Sequence, residues 1–353
     1  MEKSVKTRLD EDGYAVVRGL LNPATDLQPL KDSYSVLVDE MTEAYSARTG
    51  SRPPVNYLQM TLAARLCYVT AISHGKALHH LDPVINVMDK SYRQDRDLPS
   101  SQLPAMFDLI CHPAIIDTIE QCIGPEIYST PLFHNNIKPT REQMQYMKDL
   151  SISLHGSAPE DLLIYHFIMG TTDWHTDSCA GLADARESNI INVWIPLTEV
   201  NIENGCLLVV PGSQHMGYTH SPVPDEITDL AIPVEAAPGD VVLLGHNTLH
   251  GSLENTTDNQ YRWAFNTRYC AIGEPSGRPY LPGFIAHSLE EPSRILKDAL
   301  VWQQMWGNAL ENIASIQPVP SPRETSLAEA IAIRRYWEEK APDPEAWLNL
   351  NTG

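Results

Sequence analysis

Basic residues are scarce in this chain. It carries 25 Lys and Arg against 45 Asp and Glu, a formal charge of −20 over 353 residues. So acidic a surface repels phosphate backbones and anionic membrane faces, which argues against nucleic-acid and lipid partners. Long apolar runs are lacking too, and no stretch approaches the roughly 18 residues that a membrane-spanning helix needs. Met1 to Gly13 is charged and has no apolar centre, so a secretory signal is not expected there. Cysteine is sparse and scattered: Cys67, Cys111, Cys122, Cys179, Cys206 and Cys270 show no CxxC spacing. That pattern suits reduced thiols and predicts a cytoplasmic setting, without a disulfide framework or a structural zinc site. Internal repeats and low-complexity tracts are missing as well, which excludes a repeat array.

What is present is ample core material. Hydrophobic residues make up 42% of the chain, enough for one large domain or two ordinary ones. Residues 1–125 read mainly as helix. The strand-like Tyr14–Leu21 leads into a helix after Asn22-Pro23, with Leu30, Tyr34, Leu37, Met41 and Tyr45 on one stripe. Helical text continues through Asn56–Met88 and Pro104–Ile123. From about residue 126 to 275 the texture changes to short apolar runs parted by Gly, Pro, Asn and Asp: Ile127–Ile137, Leu162–Met169, Asn189–Leu197, Cys206–Val210, Asp240–Leu244 and Arg262–Tyr269. Strands at that spacing predict a sandwich, barrel or jelly roll. From about 290 to 353 the chain turns helical again, with an amphipathic Ile295–Leu310 and a capping box at Ser326-x-x-Glu329. Helices at both ends of a β core predict one decorated domain over 1–353.

Chemistry concentrates in Thr172-Asp-Trp-His-Thr-Asp-Ser178. Residues two apart on a strand share a face, so His175 and Asp177 can converge while Thr176 turns away. A distant histidine would complete a two-histidine, one-carboxylate facial triad and leave three positions open on Fe(II), suiting 2-oxoglutarate and dioxygen. Gly239–Ser252 supplies candidates on a later strand. His250 is the expected ligand and His246, four residues earlier, is its rival. Asp173 shares parity with His175 and competes with Asp177. Arg262 lies twelve residues beyond His250 and offers the planar, permanent charge that paired hydrogen bonds to a distal carboxylate require. Arg268 shares its face and is the alternative, and the Ser252 hydroxyl could serve the same carboxylate.

The motifs together resemble the phytanoyl-CoA dioxygenase-like family of Fe(II)/2-oxoglutarate oxygenases. The resemblance is carried by Leu9–Leu21, Trp174-His-Thr-Asp177, Val193–Val200, Glu203–His215, and Gly239-Asp240 through His250-Gly-Ser252 to Arg262. It implies a double-stranded β-helix core (jelly roll, cupin-like), mainly β with flanking helices. It also implies His175, Asp177 and His250 on iron, Arg262 and Ser252 on 2-oxoglutarate, and Trp194 near the cosubstrate. The expected reaction consumes dioxygen and 2-oxoglutarate, releases succinate and CO2, and hydroxylates, desaturates or rearranges a small-molecule metabolite. The acidic composition disfavours a highly anionic CoA thioester, and biosynthesis of a specialised metabolite is the expected setting. Asp177 occupies the position that halogenating relatives leave to a halide, so halogenation is not expected. Two rivals remain: a cupin-type metal enzyme that does not use 2-oxoglutarate, which would need no Arg262, and a non-catalytic binding protein, which would need no intact triad.

Departures and lesser motifs complete the reading. Pro139–Asp161 is a long insertion that fits a substrate lid or a surface excursion equally. Lys138, before it, sits in an Ile-Lys-Pro context like the family's strand. His74, His79, His80 and Asp82 read as ordinary helical residues, since adjacent helical histidines diverge by about 100°. Cys179 reads as a packed or loop thiol, because no basic neighbour would lower its pKa. Asn204-Gly205 and Pro211-Gly212-Ser213 read as turns, and Trp302 and Trp306 as core or homodimer contacts.

Overall fold

The computed structural model describes residues 3–82, 98–159, 169–217, 222–315 and 325–350. Its α-helices of five or more residues are α1 (Val5–Asp12), α2 (Gln28–Thr49), α3 (Leu62–Ile72), α4 (Lys76–Leu81), α5 (Pro104–Ile110), α6 (Pro113–Ile123), α7 (Arg141–His155), α8 (Ala299–Ser315), α9 (Leu327–Lys340) and α10 (Pro344–Leu348). The strands are β1 (Tyr14–Val17), β2 (Ile127–Lys138), β3 (Ile191–Pro196), β4 (Leu207–Val209), β5 (Ile232–Val234), β6 (Val241–Gly245), β7 (His250–Ser252), β8 (Arg262–Ala271) and β9 (Phe284–His287). Two antiparallel sheets form, one ordered β1-β6-β3-β8-β2-β9 and the other β5-β4-β7. This is the expected jelly-roll core with helices around it. The expected strand Leu162–Met169 lies, apart from Met169, outside the described residues, as does the end of the expected helical stretch, from 83 on.

Strand alternation sorts the core into two layers. On β8, Trp263, Phe265 and Tyr269 point to the helices and join Phe133, Ile137, Val193 and Ile195 in the larger apolar cluster. Ala264 faces the other way and joins Trp194, Val242 and Leu244 against Leu207, Val209 and Val234 of the small sheet. The space between the sheets is where β8 also sends Arg262, Asn266 and Arg268.

Helix α2 is held on the outer face as its stripe predicts. Leu30, Tyr34, Leu37, Met41 and Tyr45 are all buried, and the Tyr34 ring meets Trp263 at 5.3 Å between centroids. Trp302 and Trp306 of α8 pack on Phe133 at 5.5 and 5.3 Å and are almost wholly buried. They are core residues of this chain. Losing such a ring costs about 3–5 kcal/mol.

The insertion after Lys138 is α7, docked on α3. Thr140 and Gln143 form a reciprocal capping box, and Gly156 ends the helix at φ 83°. Thr140-x-x-Gln143 was a legible start signal, and residues 141–155 of the insertion are helix.

Candidate metal centre and cosubstrate pocket

Backbone pairing brings the two histidines together. His175 N–H donates to the His250 carbonyl and His250 N–H to that of His175, both at 2.9 Å, so the motif docks on β7. Thr176 continues extended, and then Asp177 opens a single 3-10 turn, Asp177–Ala180. The expected strand therefore stops one residue early. One extended residue between them is enough for the alternation to work, and ligand atoms of His175, Asp177 and His250 lie within 4.8 Å of one another. Among the described residues this is the one such group of three or more His, Cys, Asp or Glu.

Surrounding groups orient each donor. His175 Nδ1 donates to the Asp173 carbonyl at 2.8 Å and His250 Nδ1 to the Thr248 carbonyl at 2.9 Å. Each ring is thereby left with Nε2 as its lone-pair nitrogen, the state a metal needs. Enclosure by protein, with the nearby His250, pushes the His175 imidazole down to about 4. Asp177 accepts from Asn192 Nδ2 at 2.8 Å on one oxygen and from Arg268 Nη2 at 2.5 Å on the other. Burial alone would raise its carboxyl. The Arg268 guanidinium and the imidazoles of His250, His175 and His246 outweigh it and hold the carboxyl well below the usual range. Two imidazoles and a carboxylate are donors that suit Fe(II).

The rivals are occupied elsewhere. His246 gives Nε2 to the Ala185 carbonyl at 3.1 Å and lies outside the cluster. Asp173 has an exposed side chain and contributes its backbone. Arg268 has its charge matched by Asp177, although its Nε and Nη1 remain buried without partners.

Arg262 differs from Arg268 in having no carboxylate partner among the described residues. It is 2% exposed, spends Nε on the Gly205 carbonyl at 3.2 Å, and leaves Nη1 buried without a partner. Its guanidinium lies 5.4 Å from the Trp194 ring centroid. Burial pushes its pKa down to about 10. Directly across the strand pair stands Lys138, whose Nζ donates to Ser252 Oγ at 2.7 Å and to the Leu253 carbonyl. Burial, helped by Arg262, pushes the Lys138 ammonium down to about 6. Ser252 Oγ also accepts from Thr172 N–H at 3.0 Å, so its own hydrogen is left to give away. A Cβ on Gly205 would stand 2.6 Å from the Leu253 carbonyl oxygen and 3.0 Å from Lys138 Cδ, at φ 93°. Gly205 is thus a turn, as read, and also makes room for Lys138. A buried guanidinium backed by the Trp194 ring, a buried amine that a carboxylate would favour in its charged form, and an available hydroxyl fit a carboxylate.

Sequence reasoning missed Asn192, although its position two residues before Trp194 on one strand was a signal. His74, His79, His80 and Asp82 do not converge: His74 bonds Ser151 and Asp82 bonds His134. Cys179 sits in the turn after Asp177, half-buried.

A sequence profile of the phytanoyl-CoA dioxygenase (PhyH) family matches residues 9–264. Dioxygenase af480 of Aspergillus fumigatus is 29% identical over 172 residues, which is 49% of this chain and 46% of that protein. The chain therefore matches about half the length of that curated relative. Among solved structures, the apo form of the non-heme monooxygenase ThoJ superposes with a TM-score of 0.51 at 16% identity, over 88% of this chain and 98% of that one. At that identity the likeness is one of fold. With the family profile running from within α1 to the start of β8 and covering Lys138, His175, Asp177, Asn192, His250, Ser252 and Arg262, the chain belongs to the phytanoyl-CoA dioxygenase family.

Proposed function

We propose that this chain is an Fe(II)- and 2-oxoglutarate-dependent dioxygenase that oxidises a small-molecule metabolite, with hydroxylation the simplest outcome, and releases succinate and CO2. One observation carries the reading. Lys138 stands opposite Arg262 and bonds Ser252, two residues after His250, which brings the His175, Asp177 and His250 donors to the same side as Arg262, a buried guanidinium with Nη1 unpaired and no carboxylate partner among the described residues. An unsatisfied buried charge-bearing donor is costly, and the distal carboxylate of 2-oxoglutarate would satisfy it. A cupin-type metal enzyme without that cosubstrate has no use for it.

Bound together, iron and 2-oxoglutarate would supply the oxidising chemistry, drawing two electrons from the cosubstrate and two from the substrate per dioxygen. The chain's residues have distinct parts in this. His175, Asp177 and His250 would hold the metal, with Asn192 and Arg268 fixing the carboxylate. Arg262, Lys138 and Ser252 would bind the far carboxylate, and Trp194 would cover the guanidinium. Burial of this pocket keeps water out. Asp177 supplies an anionic ligand, so transfer of oxygen or desaturation, and not halogenation, is the expected outcome.

The test is binding followed by turnover. Under nitrogen, the Fe(II)-loaded protein should take up one 2-oxoglutarate, and under air it should release succinate. Tight Fe(II) binding with no affinity for 2-oxoglutarate would favour the cupin-type alternative.

A further inference from the structure

Lys138 and Arg262 face each other across the β2–β8 pair, so their side chains rise from Cβ atoms about 5 Å apart. Both are almost wholly buried. Arg262 keeps Nη1 without a partner, and among the described residues neither side chain has a carboxylate bonded to it. A buried guanidinium without an anion is costly, and an anion placed beside it recovers that cost.

The hydrogen bonds of Lys138 suit an amine better than an ammonium. Its Nζ donates to Ser252 Oγ at 2.7 Å and to the Leu253 carbonyl. An ammonium has three N–H groups and no lone pair, whereas a neutral amine has two and keeps a lone pair. Two acceptors are what the described residues give it. Burial first, and then the Arg262 charge, outweigh Cys206 and Glu254 and hold Lys138 down to about 6. Near neutral pH most of it is therefore free amine, and a desolvated lysine amine is a nucleophile.

We propose that Lys138 is a carbamylation site: its amine takes up carbon dioxide, and the carbamate so formed stands where the far carboxylate of the cosubstrate would. The Nζ lone pair bonds to the carbon of CO2 while one C–O π bond opens onto oxygen, and an N–H proton leaves to solvent. Amine and CO2 become carbamate and a proton, and nothing is oxidised or reduced. The new carboxylate gives the Arg262 guanidinium its anion. It accepts from Nη1 and from the Ser252 hydroxyl, whose hydrogen is available because Oγ already accepts from Thr172 N–H. The modification rests on the pocket alone. Its consequence for turnover rests on the oxygenase reading, in which every cycle releases CO2. A modified chain cannot seat 2-oxoglutarate, so the product restrains the next cycle.

The test starts with the Fe(II)-loaded protein under nitrogen, at constant pH, with and without dissolved CO2. Triethyloxonium fixes any carbamate as its ester, and peptide mass spectrometry locates it. Lys138 should carry the ester. Lys138→Arg keeps a cation but has no neutral amine, so position 138 should then stay unmodified. 2-Oxoglutarate at about ten times its dissociation constant should lower the trapped fraction about 10-fold. Under air, CO2 that modifies half of the protein should raise the apparent KM for 2-oxoglutarate about twofold with kcat unchanged, since only the unmodified half is competent. Lys138→Arg should lose this dependence on CO2, whatever its own KM. No ester on Lys138, a trapped fraction indifferent to saturating 2-oxoglutarate, a KM indifferent to CO2, or a CO2 effect that survives in Lys138→Arg overturns the proposal and leaves the oxygenase reading standing. A protein that is trapped at Lys138 yet neither binds 2-oxoglutarate nor releases succinate overturns that reading and the consequence for turnover, and keeps the modification.

Discussion

At the scale of single residues, pairs that the strand period leaves equivalent become unequal through their partners. His175→Ala, Asp177→Ala and His250→Ala should each abolish Fe(II)-dependent turnover, since two protein donors hold this metal poorly. His246→Ala removes a ring bonded to the Ala185 carbonyl and should keep the metal. Iron content after gel filtration decides this, and loss of iron in His246→Ala with retention in His250→Ala would reverse the assignment. The two arginines should separate by ligand. Arg262→Lys exchanges a planar fork for a point charge and should raise the KM for 2-oxoglutarate by about 10-fold or more, the worth of one charge-assisted hydrogen bond. Arg268→Lys disturbs the partner of Asp177 and should weaken Fe(II) binding by about 10- to 100-fold, as losses around a metal ligand commonly do. Titrating both variants with each ligand checks the pattern, and a swapped pattern would make Arg268 the anchor.

At the scale of elements, the loop between Asp177 and β3 is tied down from two sides. Leu182 N–H reaches the Gly277 carbonyl at 2.8 Å, and Arg278 Nε reaches that of Ala180 at 2.7 Å. A Cβ on Gly277 would sit 2.8 Å from Gly181 Cα, at φ 81°, so these segments touch only because both residues are glycine. The second tie comes from α9, which lies beyond the family-matched residues: Arg334 Nε donates to Asp184 at 2.7 Å, and the Asp184 side chain is 4% exposed. Next to it, Ala185 holds His246. Arg334→Met should therefore lower stability by about 1–3 kcal/mol by stranding a buried carboxylate. It should also weaken Fe(II) binding with little change in the KM for 2-oxoglutarate, because Arg262 sits on a different strand. Urea unfolding with metal titration measures both, and unchanged iron affinity would show that α9 braces only the fold.

At the scale of the whole molecule, charge and burial make the free protein acid-labile. His175 and His246 are held near 4 and Lys138 near 6 by burial, each below its unfolded value of roughly 6.5 or 10.4. The unfolded chain then binds more protons, so stability rises with pH through the window from about 4 to 6.5 for the histidines and 6 to 10 for Lys138. Asp177, held low, acts in the same direction at the acid end. The urea midpoint of metal-free protein should climb from pH 4.5 to 6.5, and a flat profile would contradict the burial of these groups. 2-Oxoglutarate works against Lys138's low pKa, since its carboxylate favours the ammonium. Binding should take up a proton at pH 7.5 and weaken as pH rises above about 6, and Lys138→Met should flatten that dependence; calorimetry in two buffers of unlike ionisation heat reads it. Among the described residues no helix is long and apolar enough to cross a membrane.

The parts of this protein that depend on period and local chemistry were legible in one dimension. The α2 stripe, the strand runs, the capping boxes and the HxD spacing each follow from backbone geometry that a few residues dictate. Alternation put His175 with Asp177, and Arg262 with Asn266 and Arg268, on common faces. It could not choose within a face, because a two-residue repeat makes every second residue equivalent. That choice fell to long-range partners: Ala185 taking His246, Asp177 taking Arg268, and Lys138 rising opposite Arg262 from a strand more than a hundred residues earlier. Asp82, read as an ordinary helical residue, meets His134 only because the end of α4 lies beside β2. Such pairings cost nothing local and leave no periodic trace, so only the folded chain decides them.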